Sequence, residues 1–346
     1  MLQEKVRRIL VIRIDFLGDM VCTTPLLHAL RSHWPQAEIH VLANKYNAAV
    51  LDNNSDVDKI HYYVYSKNHQ KNIRPGFFNA LIDRFRLITT LRKLKFDLLI
   101  IPNGGVNKNS IRFAKLLRIA DCRWHNADTE FDDRVQAHVA TRTMEHEALS
   151  GFKLLPELTK PDAAQLRLRI YPRTDLVTLW GKRLKHKPKP KIGLFVSNNS
   201  AERRWSWDKW QALTEKLAGP YEIIIFVSPR DHFSFSWMKG DDVQRVSTPT
   251  ISDLAAAMTH LNLIVSADSA PIHFASALQI PVVALFEARP EKYQRWYPLG
   301  VKHILLYEGR RVEDISVQSV STAVEELVKE IHTNASWRRN IKKSNP

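Results

Sequence analysis

Residues 7–43, RRILVIRIDFLGDMVCTTPLLHALRSHWPQAEIHVLA, decide the fold. The β-branched apolar run at residues 7–14 predicts a strand. Residues 23–34 combine a hydroxyl cap, an early proline and apolar residues at helical spacing, which predicts a helix. Residues 37–43 predict a second strand. This order is a βαβ unit, and it favours a parallel sheet covered by helices.

The same alternation continues along the chain. Strands are predicted at residues 59–64 and 97–101, with helices near residues 78–95 and 110–119. It restarts with strands at 191–197, 221–228, 261–266 and 280–286, separated by helices at 207–217, at 252–260 and within 266–279. We therefore predict an α/β protein with two doubly wound Rossmann-like domains in tandem, facing each other across a cleft. Ligands of such sheets bind beyond the carboxyl ends of the strands.

The domain boundaries follow from composition. Residues 172–190 are basic and contain proline, which suits a solvated linker. We accordingly predict a first domain at residues 1–171, a second at 191–330 and a basic tail at 331–346. The tail could fray, dock on the first domain or touch a membrane. Among its residues, we expect the following to be able to bind anionic lipid: Trp337, Arg338, Arg339, Lys342 and Lys343.

Composition limits the classes of function. A chain of 346 residues that is 44% hydrophobic can bury the core of two domains. Cys22 and Cys122 are far apart and lack the spacing of zinc ligands or of a disulfide framework. The N-terminus does not resemble a signal peptide, and no apolar run approaches the ~18 residues of a spanning helix, so we expect a soluble cytoplasmic chain. The net charge of +15 indicates an anionic partner without identifying it.

The segment SADSAPIHFASALQ, residues 266–279, places polar groups between two predicted strands. Ser269, as a capping hydroxyl, and Pro271, in the first turn, are typical of a helix start, where unpaired N–H groups form an anion site. A diphosphate could bind there, with His273 within reach of a phosphate and Asp268 accepting from sugar hydroxyls. The alternative is a capped core helix that carries a packed histidine.

Two further motifs follow predicted strands. Gly18 and Asp19 occupy the turn after the first strand, where Gly18 allows positive φ or close approach and Asp19 is a candidate base. The alternative is a turn carboxylate. In SNNSAERRWSWDKW, residues 197–210, Arg203 and Arg204 precede a helix and could clamp a phosphate, or form a solvated basic loop.

Together these motifs resemble glycosyltransferase family 9, the ADP-heptose heptosyltransferases of the lipopolysaccharide core, which have a two-domain fold of the GT-B type. The likeness extends over nearly the whole chain. It implies that Asp19 is the general base. It also implies that donor binding falls to Ser197, Asn198, Arg203, Asp231, Asp268, Ser269, Ala270 and His273. Ala270 stands where the family usually has Gly, and Arg203 where Lys is common.

The basic segment at residues 67–95 has eight Lys or Arg residues against one acid, Asp83. It suits an anionic lipid-linked sugar and the membrane surface that holds it, although a solvated helix face has the same composition. We expect the acceptor contacts to be Gly18, Lys67, Lys71 and Arg74.

The resemblance implies inverting transfer of a heptose from ADP-heptose to the lipopolysaccharide inner core, at the cytoplasmic face of the inner membrane. We expect no metal or other cofactor, because no Asp-x-Asp pair follows a predicted strand. The enzyme alternative is the same fold with another nucleotide-sugar or another acceptor. A nucleic-acid-binding protein would need a groove-reading helix or an aromatic RNA motif, and we find neither. A dehydrogenase would need the G-x-G-x-x-G fingerprint, which is missing.

Overall fold

The computed structural model describes residues 6–125, 145–184, 187–229, 231 and 241–333. These residues fall into two compact units. Unit 1 lies within Met1–Arg173 and Gln294–Gly300, and unit 2 lies within Thr174–Tyr293 and Val301–Pro346. The tail residues 337–343, for which we predicted lipid binding, lie outside the described residues.

Unit 1 is built on a five-stranded parallel sheet in the order β3-β2-β1-β4-β5. The strands are β1 Arg8–Arg13, β2 Glu38–Ala43, β3 Lys59–Tyr62, β4 Leu98–Ile101 and β5 Asp121–Trp124, and the helices are α1 Leu17–His33, α2 Phe77–Lys93 and α3 Lys108–Leu117. The strand order reverses between β1 and β4. The crevice beyond their carboxyl ends is the usual ligand position of such a sheet.

The apolar strands form because helices cover a parallel sheet on both faces. Ile9 to Ile12 of β1 are fully buried, and β4 is buried along its whole length. The partly buried Leu87 and Ile88 of α2 pack on this core. The charged Arg13 at the end of β1 is therefore an exception, and it belongs to the site described below.

Helix α1 begins at Leu17, six residues before the cap that we predicted at Thr23. That prediction was wrong, since Gly18 and Asp19 lie in the first helical turn and Gly18 does not have positive φ. Pro25 cannot donate the bond that the carbonyl of Val21 would receive in a regular helix. The Thr24 hydroxyl donates to that carbonyl instead (2.7 Å), which lets the helix continue through the proline.

Unit 2 is built on a six-stranded parallel sheet in the order β11-β10-β9-β6-β7-β8. The strands are β6 Lys191–Phe195, β7 Glu222–Phe226, β8 Val243–Val246, β9 Leu263–Ala267, β10 Val282–Leu285 and β11 His303–Leu306. The helices are α4 Thr174–Arg183, α5 Trp207–Leu217, α6 Ile251–Met258, α7 Ala270–Ala277 and α9 Val317–Thr333. Helix α8, Pro290–Trp296, begins in unit 2, and its last residues, from Gln294, belong to unit 1. Here the strand order reverses between β6 and β9.

The predicted linker at residues 172–190 is largely structured. Helix α4 occupies ten of its residues and packs on α6, where the buried indole of Trp180 donates to Asp253 Oδ1 (3.0 Å). We predicted a solvated linker from the basic composition, but Lys187 and Lys189 form ion pairs with Asp242. Helix α9 also runs past residue 330, the end that we predicted for the second domain.

Within the described ranges, none of the helices combines the length and the apolar character needed to cross a membrane.

Candidate functional site

The loops beyond β1 and β4 of unit 1 bring together a cluster of ionisable side chains. Its centre is Arg13, whose side chain is 1% exposed. Arg13 Nη2 donates to Asp19 Oδ1 (2.5 Å) and to Glu147 Oε1 (3.0 Å), and Nε lies 3.5 Å from Asp15 Oδ2. We call Arg13, Asp15, Asp19, Glu147 and Arg295 the acid–arginine cluster. It holds three acids and two bases, and therefore one excess negative charge when all five are ionised.

Two amides hold Asp15. Asn103 Nδ2 donates to its Oδ2 and Asn107 Nδ2 to its Oδ1, both at 2.5 Å. Asn103 follows β4, and Asn107 caps helix α3 by accepting from the Ser110 amide. The loop after β4 thus fixes the orientation of a carboxylate that follows β1.

Glu147 is held by both arginines. Arg295 donates to Glu147 Oε2 from Nε (2.9 Å) and Nη2 (2.5 Å), and the Gly104 amide donates to Oε1 (3.0 Å). Burial raises the pKa of Glu147, but Arg295 and Arg13 outweigh burial and lower that pKa to about 2. Glu147 therefore remains a carboxylate at every physiological pH.

His146 fixes the backbone that carries Glu147. Its Nδ1 accepts from the Ala148 amide (3.1 Å), and its Nε2 lies 3.0 Å from the carbonyl of Tyr297. Nδ1 accepts a hydrogen bond and therefore carries no hydrogen. A carbonyl oxygen only accepts, so Nε2 must be the donor to Tyr297, and the ring is neutral with its hydrogen on Nε2. Burial lowers the pKa of His146 to about 4, which agrees with that neutral state.

Of the three acids in the cluster, Asp19 accepts hydrogen bonds from the fewest side chains. Only one guanidinium donates to it among the described contacts, whereas Glu147 has two and Asp15 has two amides. Burial raises the pKa of Asp19, Arg13 opposes that effect, and the charges of Asp15 and Glu147 raise the pKa further, to about 6. The negative charge of the neighbouring carboxylates thus makes Asp19 easier to protonate.

Asp19 is also accessible. Its side chain is 15% exposed and that of Asp15 is 18% exposed, whereas Glu147 is 2% exposed. A partly exposed carboxylate with a pKa near 6 is suited to accept a proton from a hydroxyl at neutral pH. Of the three acids, Asp19 is therefore the candidate base, and Glu147 serves to position Arg13.

A second polar group lies beyond β6 and β9 of unit 2. Arg203 Nη1 lies 3.3 Å from both the Asp268 carbonyl and Asp268 Oδ2. Asn198 Nδ2 donates to the Asp268 carbonyl (3.1 Å), and the Ser228 amide donates to Ser197 Oγ (2.8 Å). Asn198 and Asp268 are 70 positions apart in the sequence, and the structure brings them into contact at the strand reversal where ligands of such sheets bind.

Helix α7 begins at Ala270, directly after Ser269. The prediction of a capping hydroxyl was wrong, because Ser269 Oγ donates back to the Ala267 carbonyl (2.9 Å) and makes no capping bond. The helix start, with Pro271 in its first turn, is therefore left without a side-chain cap. His273 is buried one turn into the helix. Burial raises the pKa of Asp268, and Arg203 and Lys292 lower it less.

The remaining predicted contacts are more scattered. The Asp231 amide donates to the Ser228 carbonyl (3.0 Å), which places Asp231 beyond β7, close to Ser197. Gly18 is buried in α1, while Lys67 and Lys71 are exposed in the loop between β3 and α2. Arg74 is exposed too, but it forms an ion pair with Asp83.

Three members of the acid–arginine cluster were not predicted from the sequence, namely Arg13, Glu147 and Arg295. The two amides that hold Asp15, Asn103 and Asn107, were not predicted either. Arg13 had a signal, since a charge inside an apolar strand requires a buried partner. Glu147 and Arg295 had none, because their pairing joins positions 148 residues apart.

Comparison with known proteins gives a family. The sequence model described as "Glycosyltransferase family 9 (heptosyltransferase)" matches residues 84–320. Lipopolysaccharide heptosyltransferase 3 of Escherichia coli is 23% identical, over 85% of this chain and 87% of that protein. Lipopolysaccharide heptosyltransferase 1 of Campylobacter coli is 22% identical, over 94% of this chain and 98% of that protein.

Solved structures agree in fold. A family 9 glycosyl transferase from Veillonella parvula aligns with a TM-score of 0.74 at 19% identity, over 94% of this chain and 97% of that chain. ADP-heptose lps heptosyltransferase II of E. coli aligns with a TM-score of 0.68 at 18% identity, over 94% and 99%. These likenesses confirm the predicted α/β fold of the GT-B type. The chain belongs to glycosyltransferase family 9, the heptosyltransferase family.

Proposed function

We propose that this glycosyltransferase moves a heptose from ADP-heptose to a sugar hydroxyl of the lipopolysaccharide inner core, with inversion at the anomeric carbon. The observation that carries the proposal is the partly exposed Asp19, with its pKa near 6, at the strand reversal of unit 1. Family membership supplies the reaction class. The names of the similar heptosyltransferases support the choice of donor and acceptor.

In the proposed step, the acceptor oxygen attacks the anomeric carbon while Asp19 takes the hydroxyl proton. The bond between that carbon and the phosphate oxygen breaks, and ADP leaves with the electron pair. Arg203, the start of α7 and His273 would bind the diphosphate and stabilise its developing charge. We propose that no metal takes part, and that the transfer takes place at the cytoplasmic face of the inner membrane.

Product analysis with a panel of donors tests this proposal. Purified protein would receive inner-core acceptor with ADP-heptose, ADP-glucose or UDP-glucose, and mass spectrometry would follow the acceptor. We expect a mass increase of one heptose with ADP-heptose alone, unchanged by EDTA. Transfer from another nucleotide-sugar, or loss of transfer in EDTA, would contradict the proposed donor or the metal-free chemistry respectively.

The same panel tests the alternative within the family. Ala270 and Arg203 depart from the family pattern on which the donor assignment rests. Replacing them by Gly and Lys should leave the choice of donor unchanged if the chain uses ADP-heptose. A switch of donor in either variant would identify these positions as determinants of a different specificity.

A further inference from the structure

Helix α2 presents an apolar stripe to solvent. Phe77, Phe78, Leu81, Ile82 and Phe85, which we call the α2 face, are each about half exposed or more, with Phe78 at 77% and Phe85 at 70%. Their spacing places them side by side along one side of the helix. Ala80 and Leu91 are buried and Leu87 and Ile88 pack on the unit 1 core, so the helix is held by its other side.

Such a surface is costly in water. Burial of a phenylalanine side chain stabilises a protein relative to leaving that side chain exposed. Soluble monomeric proteins rarely expose contiguous apolar patches of this kind unless the patch binds something. The apolar residues of the α2 face therefore indicate a binding surface rather than an ordinary solvated helix.

The charges beside the α2 face identify the chemistry of its partner. Lys67, Lys71 and Arg86 are exposed. The single acid of the segment, Asp83, is neutralised by Arg74. Arg84 points away from the surface, where its guanidinium donates to the Val64 carbonyl and lies over the Phe113 ring. The accessible charge around the aromatic stripe is thus positive.

The loop between β3 and α2, which carries Lys67 and Lys71, begins next to the acid–arginine cluster. The Tyr65 hydroxyl donates to the Ile14 carbonyl (3.3 Å), directly before Asp15. Asn72 bonds both the amide (2.8 Å) and the carbonyl (3.0 Å) of Tyr65. The loop that carries Lys67 and Lys71 is therefore anchored within unit 1 at the same end of the sheet as Asp19.

We propose that the α2 face docks on an anionic lipid bilayer. The phenylalanine, leucine and isoleucine side chains enter the interfacial region, and Lys67, Lys71 and Arg86 contact acidic headgroups, a combination typical of amphipathic surface helices. A second copy of the chain fits this face less well, because a symmetric dimer would bring the same positive charges together. Docking in this position would keep a lipid-linked acceptor near Asp19, a consequence that rests on the proposed function.

Vesicle sedimentation tests the proposal with the full chain. The double variant Phe78→Ser/Phe85→Ser would be compared with Leu116→Ser, a control that removes an exposed leucine from α3 of the same unit. On vesicles containing phosphatidylglycerol, we expect the double variant to bind at least about tenfold more weakly. The control should bind like the parent, and both variants should keep the parent Tm. Phosphatidylcholine vesicles should bind the parent weakly. The variant Lys67→Gln/Lys71→Gln should show a smaller preference for anionic vesicles than the parent does.

Two results would overturn the proposal. One is equal binding of anionic vesicles by the parent and the Phe78→Ser/Phe85→Ser variant. The other is a parent dimer in sedimentation velocity that becomes a monomer in this variant, which would assign the α2 face to self-association. Vesicle binding requires no turnover, so these results are independent of the donor and of Asp19. Failure of the proposed heptosyl transfer would appear in product analysis and leave vesicle binding unchanged.

Discussion

Three carboxyl groups share the neighbourhood of Arg13, and their separate partners give them separate roles. Glu147 has the strongest cationic support and a pKa of about 2, whereas Asp19 has one guanidinium and a pKa of about 6. Unequal environments of this kind are how proteins assign acid and base roles to chemically similar groups. Asp19 is thus ionised above about pH 6 and protonated below it.

This division predicts the pH dependence of catalysis. If Asp19 is the base, kcat/KM should fall as the pH is lowered through about 6, because the protonated carboxyl cannot accept a proton. Glu147→Gln removes a neighbouring negative charge, which should move this acidic limb about one unit lower. Asp15→Asn should move the limb in the same direction. A kinetic pH profile of each variant measures the shift.

The control for this experiment is Glu145→Gln. Glu145 is two residues from Glu147 but pairs with Lys153 and Lys160 rather than with the cluster. Its removal should leave the limb in place. An unchanged limb in all three variants would mean that a group other than Asp19 titrates. Loss of maximal rate without a shift would assign Glu147 a purely structural role.

At the scale of the element, helix α1 depends on one hydroxyl. Thr24 Oγ1 donates to the Val21 carbonyl (2.7 Å) and accepts from the Arg169 amide (2.9 Å), and the residue is fully buried. Thr24→Val keeps the shape but leaves both backbone groups without this partner. At about 1–3 kcal/mol for each buried unsatisfied group, we expect a loss of about 2–6 kcal/mol in the free energy of unfolding. Urea unfolding of the full chain measures it.

Thr214→Val in α5 is the matched control. Its hydroxyl donates only to the Trp210 carbonyl (2.8 Å) among the described bonds. That carbonyl lies inside α5, where the Thr214 amide is its regular helical donor. Its replacement should therefore cost less than about 1 kcal/mol. Equal losses in the two variants would show that the hydroxyl of Thr24 has no special part in carrying α1 through Pro25.

The interior strands of the two sheets were predictable from the sequence, whereas of the four described edge strands only β3 was predicted. The central strands β1, β6 and β9 are continuous apolar runs because both of their faces are covered. The described strands β5, β8 and β11, which we did not predict, all lie at a sheet edge. An edge strand buries less surface, so sequences such as DCRW and VQRV can pair without an apolar pattern. The start of α1 was missed because Gly18-Asp19 resembles a turn.

The candidate site was predictable where residues follow a strand within a few positions. Asp19, Arg203 and Asp268 were predicted in this way, and the structure brings Arg203 and Asp268 together. Asn103, Glu147 and Arg295 were not predicted, since nothing in their local sequence indicates a partner far along the chain. The pKa of Asp19 is raised first by burial and in part by the charge of the distant Glu147. The sequence could therefore indicate the base but not why its pKa lies near 6.

For the molecule as a whole, we propose that unit 1 activates the acceptor and that unit 2 binds the donor. Arg203→Ala should therefore weaken ADP binding by about 10–100-fold, as expected for the loss of a charged phosphate contact, and leave the acidic limb of kcat/KM unchanged. Isothermal titration with ADP measures the affinity. Bound ADP should also raise the Tm of the parent.

Arg204→Ala provides the control for Arg203. Arg204 is the next residue and carries the same charge, but its Nε donates to the Asn198 carbonyl (2.8 Å) and it makes no described contact with Asp268. We expect ADP affinity close to that of the parent. Equal weakening in both variants would indicate a diffuse electrostatic effect instead of a phosphate clamp at Arg203.

The central claim is that Asp19 accepts the proton of the acceptor hydroxyl, and the most direct measurement is the turnover of Asp19→Asn beside its affinity for ADP. Asparagine keeps the shape of the side chain and removes its basicity. We predict that kcat falls by about 10²–10⁴, the usual contribution of a general base, while the Kd for ADP and the Tm stay near those of the parent. A well-folded Asp19→Asn protein that turns over within a few-fold of the parent would contradict the account and leave Asp15, between β1 and α1, as the next candidate.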